Sequence, residues 1–131
     1  METTAQHSIL VIDDNSDMLE LQKTILEMNG YEVFTAQSGG EALKILGEIK
    51  EPDLILLDMR MEDMSGTDFL LMLEEKKPEI IKDVPVVFHT ALDEVPASKA
   101  AGFIRKARDI GKYVEDVRRF IKLGKSGQSV H

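Results

Sequence analysis

The chain has 131 residues, 43% of them hydrophobic, no cysteine and a formal net charge of −8. That length suits one globular domain with a real core and is short for two. The lack of cysteine excludes a disulfide framework and thiolate zinc sites, the excess of acid opposes direct binding to a phosphate backbone, and no apolar stretch approaches the roughly 18 residues of a membrane span. The first residues, Met1 to Gln6, lack the basic and apolar regions of a signal peptide, so a cytosolic location is expected.

Taken in order, residues 8–13 read as a first strand, a nearly continuous run of Ile, Leu and Val that ends in Asp13-Asp14. A first helix follows, started by Asn15 or Ser16 and stopped by Asn29-Gly30, with Met18, Leu21, Ile25 and Met28 expected on its inner face. Residues 31–36 alternate more and carry a charge, which suits an outer strand. Ser38-x-x-Glu41 is a capping box that opens a second helix ending before Pro52, with Ala42, Ile45, Leu46 and Ile49 inward. Residues 53–58 are a doubly buried strand ending in Asp58, and Gly66 precedes a third helix carrying Phe69, Leu70 and Leu73.

Residues 84–90 form a fourth strand that ends in His89-Thr90, and residues 102–106 a short fifth that delivers Lys106. The eleven residues between them, 91–101, are close to the minimum of about 10–12 for a parallel crossover. Any helix there is one or two turns, from Pro96 toward Gly102. Asp109 caps a last helix whose apolar stripe is Ile110, Tyr113, Val114, Val117, Phe120 and Ile121. Its basic residues, among them Lys112, Arg118, Arg119 and Lys122, read as a solvated face. A domain over 1–124 and a small polar tail over 125–131 are expected.

Strands alternating with helices describe an α/β fold around a parallel sheet, whose strand ends meet at one edge. If the first strand neighbours the third, Asp13, Asp14 and Asp58 converge, and three carboxylates so close must hold protons or bind a cation. Oxygen-only ligands point to Mg²⁺, which pairs carboxylates with phosphate. A carboxylate in such a site can attack phosphorus, with the cation and Lys106 neutralising charge and the Thr90 hydroxyl donating to a phosphoryl oxygen.

These residues resemble the receiver domains of two-component response regulators. The resemblance covers about residues 7–123 and rests on Asp13-Asp14, on Pro52-Asp53-Leu54-Ile55-Leu56-Leu57-Asp58-Met59, on the Met61-x-x-Met64-Ser65-Gly66 loop, on Val84-Pro85-Val86-Val87 leading to Thr90-Ala91, and on Lys106. It implies a flavodoxin-like doubly wound sheet of five parallel strands in the order 2-1-3-4-5, here with a shortened fourth helix. It implies that Asp58 is the phosphoacceptor, that Asp14, Asp58 and the backbone carbonyl of Arg60 ligate Mg²⁺, and that Asp13 supports the metal through water. Lys106 would pair with the phosphoryl group, and Thr90 and Phe103 would form the switch. The implied partners are a histidine kinase or a histidine phosphotransfer protein and an unnamed downstream protein. No nucleic acid or membrane is implied. The chemistry is that of a signalling phosphoacceptor with autodephosphorylation, and not of an enzyme with turnover.

Three departures from the family pattern stand out. Glu62 replaces the usual proline of the Met-Pro-x-Met loop, and Ala107 replaces the proline after Lys106, where a cis peptide would now cost about 2.5–4 kcal/mol. The short fourth crossover alters the face that receivers use to dimerise, so a monomer or weak dimer is expected. Arg60 and Leu92 occupy positions that tune phosphoryl lifetime in the family.

Rival readings are fewer. A degenerate receiver that binds partners without phosphorylation is opposed by the complete set Asp13, Asp14, Asp58, Thr90 and Lys106. An aspartate-nucleophile phosphatase typically carries a second aspartate two residues on, where this chain has Arg60. Gly124-Lys125-Ser126 resembles the end of a P-loop but follows a helix where it would have to open one. His89 is expected to be packed or on the surface, away from the site, because neighbouring strand residues face opposite sides. A stand-alone receiver is the expectation, with an excised part of a longer regulator as the open alternative.

Overall fold

The computed structural model describes residues 6–91, 98–106 and 109–126. Its elements run β1 (Ser8–Ile12), α1 (Ser16–Met28), β2 (Glu32–Ala36), α2 (Gly39–Leu46), β3 (Leu54–Asp58), α3 (Gly66–Lys76), α4 (Pro78–Asp83), β4 (Val86–Thr90), β5 (Gly102–Arg105) and α5 (Ile110–Ser126). The strands form one parallel sheet in the order β2-β1-β3-β4-β5, which is the expected fold.

Continuous apolar strands reflect burial on both faces. Ile9, Val11, Leu54, Leu56, Val87 and Ile104 pack on one side with Leu19 and Leu26 of α1 and with Val114, Val117 and Ile121 of α5. Leu10, Ile12, Ile55, Leu57, Val86 and Phe88 turn to the other side, against Ala42 and Leu46 of α2, Phe69, Leu70 and Leu73 of α3, and Ile80 of α4. Local capping sets the helix starts. Asn15 accepts from the Met18 N–H at 3.0 Å, Ser38 from the Glu41 N–H at 3.0 Å, and Asp109 from the Lys112 N–H at 3.1 Å. Gly30, at φ +92°, ends α1 in the left-handed conformation that favours glycine.

Several expectations need correction. The buried residues of α1 are Leu19, Gln22 and Leu26, whereas Leu21 is 51% and Met28 80% exposed. Gln22 occupies the inner face because its Oε1 accepts from the buried Tyr113 hydroxyl at 2.8 Å. The apolar spacing of Met18, Leu21, Ile25 and Met28 therefore runs along the border of the inner face, with Ile25 packed on the core, Met18 half-buried, and Leu21 and Met28 turned outward. Helix α4 is an element that the expected series lacks, with Pro78 at its first turn. Helix α2 stops at Leu46, leaving Ile49 in the following turn, and Ile110 of the α5 stripe is 53% exposed. Helix α5 continues to Ser126, past the boundary expected after residue 124. Residues 98–101 are not helical. The rest of the expected short fourth helix, Leu92 and the peptide before Ala107 lie outside the described residues.

Close packing concentrates at Gly66, where an added Cβ would meet the Asp58 carbonyl oxygen at 2.7 Å and a Phe88 ring carbon at 2.9 Å. Backbone cannot give way as a flexible side chain can. Gly66→Ala is expected to lower stability by about 1–3 kcal/mol in urea denaturation. Gly40→Ala, where a Cβ meets nothing within 4 Å, is expected to be neutral or slightly stabilising. Equal effects of the two substitutions would refute this account of the packing.

Candidate functional site

The carboxyl ends of β1, β3 and β4 and the residue after β5 meet at one edge of the sheet. Asp13 follows β1, held there by its N–H donating to the Ala36 carbonyl at 3.0 Å. Asp58 closes β3, Thr90 closes β4, and Lys106 follows β5 with its N–H donating to the Thr90 carbonyl at 2.6 Å. The four expected side chains are thus anchored by ladder or near-ladder bonds, and Asp14 joins them at the exposed rim.

Oxygen atoms of Asp13, Asp14 and Asp58 lie within 4.8 Å of one another. The Lys106 ammonium stands 3.4 Å from Asp58 Oδ1 and 3.5 Å from Asp13 Oδ2. Asp13 is 1% exposed, its Oδ1 accepts from the Asn15 N–H at 3.0 Å, and its Oδ2 has no hydrogen-bond partner. Among the described residues the Lys106 ammonium pairs with two of these three carboxylates, so the cluster carries excess negative charge in a partly desolvated place. Burial pushes the Asp58 carboxyl above its ordinary range; Lys106 opposes that rise and Asp13 adds to it. A buried carboxylate oxygen with no hydrogen bond, faced by an ammonium at 3.5 Å and beside two more carboxylates, belongs to a donor set for a hard divalent cation, and Mg²⁺ fits it.

The loop after β3 carries the remaining expected ligand, the Arg60 carbonyl. The loop is closed at its base by the Gly66 N–H donating to the Met59 carbonyl at 2.8 Å and by a bridge between Arg60 and Ser65. The Arg60 N–H approaches Asp58 Oδ1 at 3.5 Å. Two contacts here were not legible beforehand. The Glu62 N–H donates to Asp14 Oδ2 at 3.0 Å, and the Asp63 carboxylate accepts from the N–H groups of Gly39 and Gly40 at 3.1 to 3.3 Å. Backbone donors leave no trace in residue type, although an acid facing the first turn of α2 is favourable on general grounds.

Thr90 is 3% exposed, in register with Arg105, at the end of β4. Phe103 is half-buried and pairs in register with Phe88, packing against the α2, α3 and α4 side of the sheet. His89, in register with Asp58, is 5% exposed and packs its ring 5.3 Å from that of Tyr113.

Burial, and secondarily the charge of Lys106, lower His89 to about 4 from an ordinary value of 6.5. The unfolded chain therefore takes up the proton first as the pH falls. The contribution of neutral His89 is intact above pH 6.5 and is lost as the pH drops toward 4, by roughly 3 kcal/mol at about 1.4 kcal/mol per unit. Denaturation at a series of pH values should show the stability advantage of wild type over His89→Phe shrinking across that window. Parallel curves would contradict it.

Among the described residues no helix is long and apolar enough to cross a membrane. The family model of the response regulator receiver domain matches residues 9–118. The chain is 27% identical over 120 residues to the polar-differentiation response regulator DivK of Brucella ovis, an overlap of 87% of this chain and 95% of DivK. The structure of the response regulator TrrA from Thermotoga maritima in complex with Mg(2+)-BeF superposes with a TM-score of 0.75 at 30% identity, over 88% of this chain and 99% of that one. A CheY-like response regulator receiver domain protein from Methanospirillum hungatei gives 0.77 at 26% identity, over 94% and 99%. Because the family match spans the sheet and every strand-end residue just described, this chain belongs to the receiver domains of two-component response regulators.

Proposed function

We propose that the protein is a phosphorylatable switch of a cytosolic phosphorelay, with Asp58 as phosphoacceptor. The observation that carries this reading is the placement of the Asp58 carboxylate 3.4 Å from the Lys106 ammonium and among two further carboxylates, at the open edge of a parallel sheet. Asp13, Asp14, Asp58 and the Arg60 carbonyl would hold Mg²⁺, which when bound neutralises charge on the phosphoryl oxygens. A carboxylate oxygen of Asp58 forms the new bond to phosphorus as the phosphorus–nitrogen bond of a donor phosphohistidine breaks, and the imidazole leaves with that electron pair. Lys106 balances the charge carried by the phosphoryl group. Hydrolysis then returns the carboxylate and releases inorganic phosphate.

The switch reading rests on adjacency. Thr90 ends the strand beside Asp58, and its carbonyl holds the residue whose ammonium faces Asp58. A shift of Thr90 toward a phosphoryl oxygen alters the packing edge next to β5, where Phe103 flanks Phe88. Such a device biases an existing equilibrium between two arrangements by a few kcal/mol.

The phosphodonor is read as helical. Met18, Leu21, Ile25 and Met28 repeat at intervals of three and four, the spacing of a helix-packing seam, and Leu21 and Met28 are exposed. Between this seam and α5 lies a cavity of about 500 Å³ lined by Leu21, Ile25, His89, Lys106, Ile110 and Tyr113. A helix of a histidine kinase or histidine phosphotransfer protein laid on the seam places its side chains beside Lys106, at the mouth of the phosphoacceptor site.

Incubation with Mg²⁺ and acetyl phosphate, followed by intact-mass measurement, is expected to add one phosphoryl group to wild type and none to Asp58→Ala. An unlabelled wild type would overturn the reading and favour a phosphorylation-independent interaction module. Leu21→Glu is expected to slow transfer from a histidine phosphotransfer protein at least about tenfold relative to transfer from acetyl phosphate. Equal slowing with both donors would remove the seam from the donor interface.

A further inference from the structure

The Glu62 N–H occupies a place where the family pattern has proline, a residue with no N–H to give. Here that N–H donates to Asp14 Oδ2 at 3.0 Å. Resting on the reading that Asp14 holds Mg²⁺, we infer that the backbone of Glu62 is a positioning group of the metal site, acting through Asp14 and built into this chain by the loss of that proline.

The geometry around the bond supports a fixed donor. The loop is pinned on one side of Glu62 by the Gly66-to-Met59 bond at 2.8 Å and the bridge between Arg60 and Ser65. On the other side, Asp63 takes the Gly39 N–H at 3.1 Å and the Gly40 N–H at 3.3 Å, which ties the loop to the first turn of α2. Glu62 sits between these attachments, so its N–H is presented to Asp14 by backbone held at both ends.

Asp14 needs such help more than its neighbours do. It is exposed, whereas Asp13 and Asp58 are fixed by burial. A carboxylate on a solvated rim samples several rotamers, and a metal that binds it must restrict them. The bond at Oδ2 restricts them beforehand and leaves Oδ1 for the cation. It also fastens Asp14 to the loop that carries the Arg60 carbonyl, so that two of the expected ligands are preassembled on one unit. Partners that orient a ligand in this way change metal affinity by about 10- to 100-fold when removed.

The test compares Mg²⁺ dissociation constants, measured by calorimetry on the full chain, for wild type, Glu62→Ala and Glu62→Pro. Glu62→Ala keeps the N–H and discards the carboxylate, so it is the reference for Glu62→Pro. The expected result is affinity within about twofold of wild type for Glu62→Ala and about tenfold weaker for Glu62→Pro. Equal affinity of the alanine and proline variants overturns the inference and leaves the phosphoacceptor reading standing, whereas a wild type that binds no Mg²⁺ overturns both.

A measurement on the wild type alone guards against a proline variant that misfolds. Binding linkage is reciprocal, so Mg²⁺ must strengthen the bond that prepares its ligand. Amide hydrogen exchange at Glu62 is expected to slow about tenfold on saturation with Mg²⁺. Exchange unchanged by the metal would refute the inference.

Discussion

Three carboxylates gathered against one ammonium are the constraint around which this molecule is arranged. Parallel strands of five residues deliver Asp13 and Asp58 to the same edge of the sheet, and the chain folds despite their mutual repulsion. Lys106 offsets part of it from 3.4 and 3.5 Å, while burial, with Asp13 adding to it, holds the Asp58 carboxyl above its ordinary range. Buried charge of one sign is costly unless paired. A site that stores this cost responds strongly to a cation, because binding relieves what folding imposed.

The two faces of the sheet divide the remaining work. On one side α1 and α5 cover the core but leave an apolar seam and a cavity that reaches Lys106. On the other side α2, α3 and α4 pack on Phe88, and Phe103 borders that cluster at the sheet edge. In the proposed function, donor access and output would sit on different faces while sharing the strand ends between them. Gly66 borders both the strand end and the second face, since a Cβ there would meet the Asp58 carbonyl and the Phe88 ring.

The sheet was legible in the sequence because doubly buried strands are continuous apolar runs, and Asp13, Asp58, Thr90 and Lys106 stand where those runs stop. Burial of a helix face was less legible. On α1 the stripe that runs through Leu21 and Met28 turns outward, and the inner face contains Gln22, whose Oε1 accepts from Tyr113, a residue 91 positions away. Periodicity ranks faces by apolarity and cannot see a distant hydroxyl. Helix α4 spans only six residues, too few for a repeating stripe, although Pro78 at its start is a local signal. The Glu62 substitution was visible as a departure, but its consequence lies in a backbone N–H that residue type does not display.

The relief of stored repulsion by Mg²⁺ is tested most directly by thermal unfolding of wild type and Asp13→Asn with and without the metal. The account predicts that metal-free Asp13→Asn melts above metal-free wild type, because one of three facing charges is gone, and that Mg²⁺ raises the wild-type midpoint far more than that of the variant. A metal-free Asp13→Asn that melts below wild type, together with a wild-type midpoint indifferent to Mg²⁺, would contradict it.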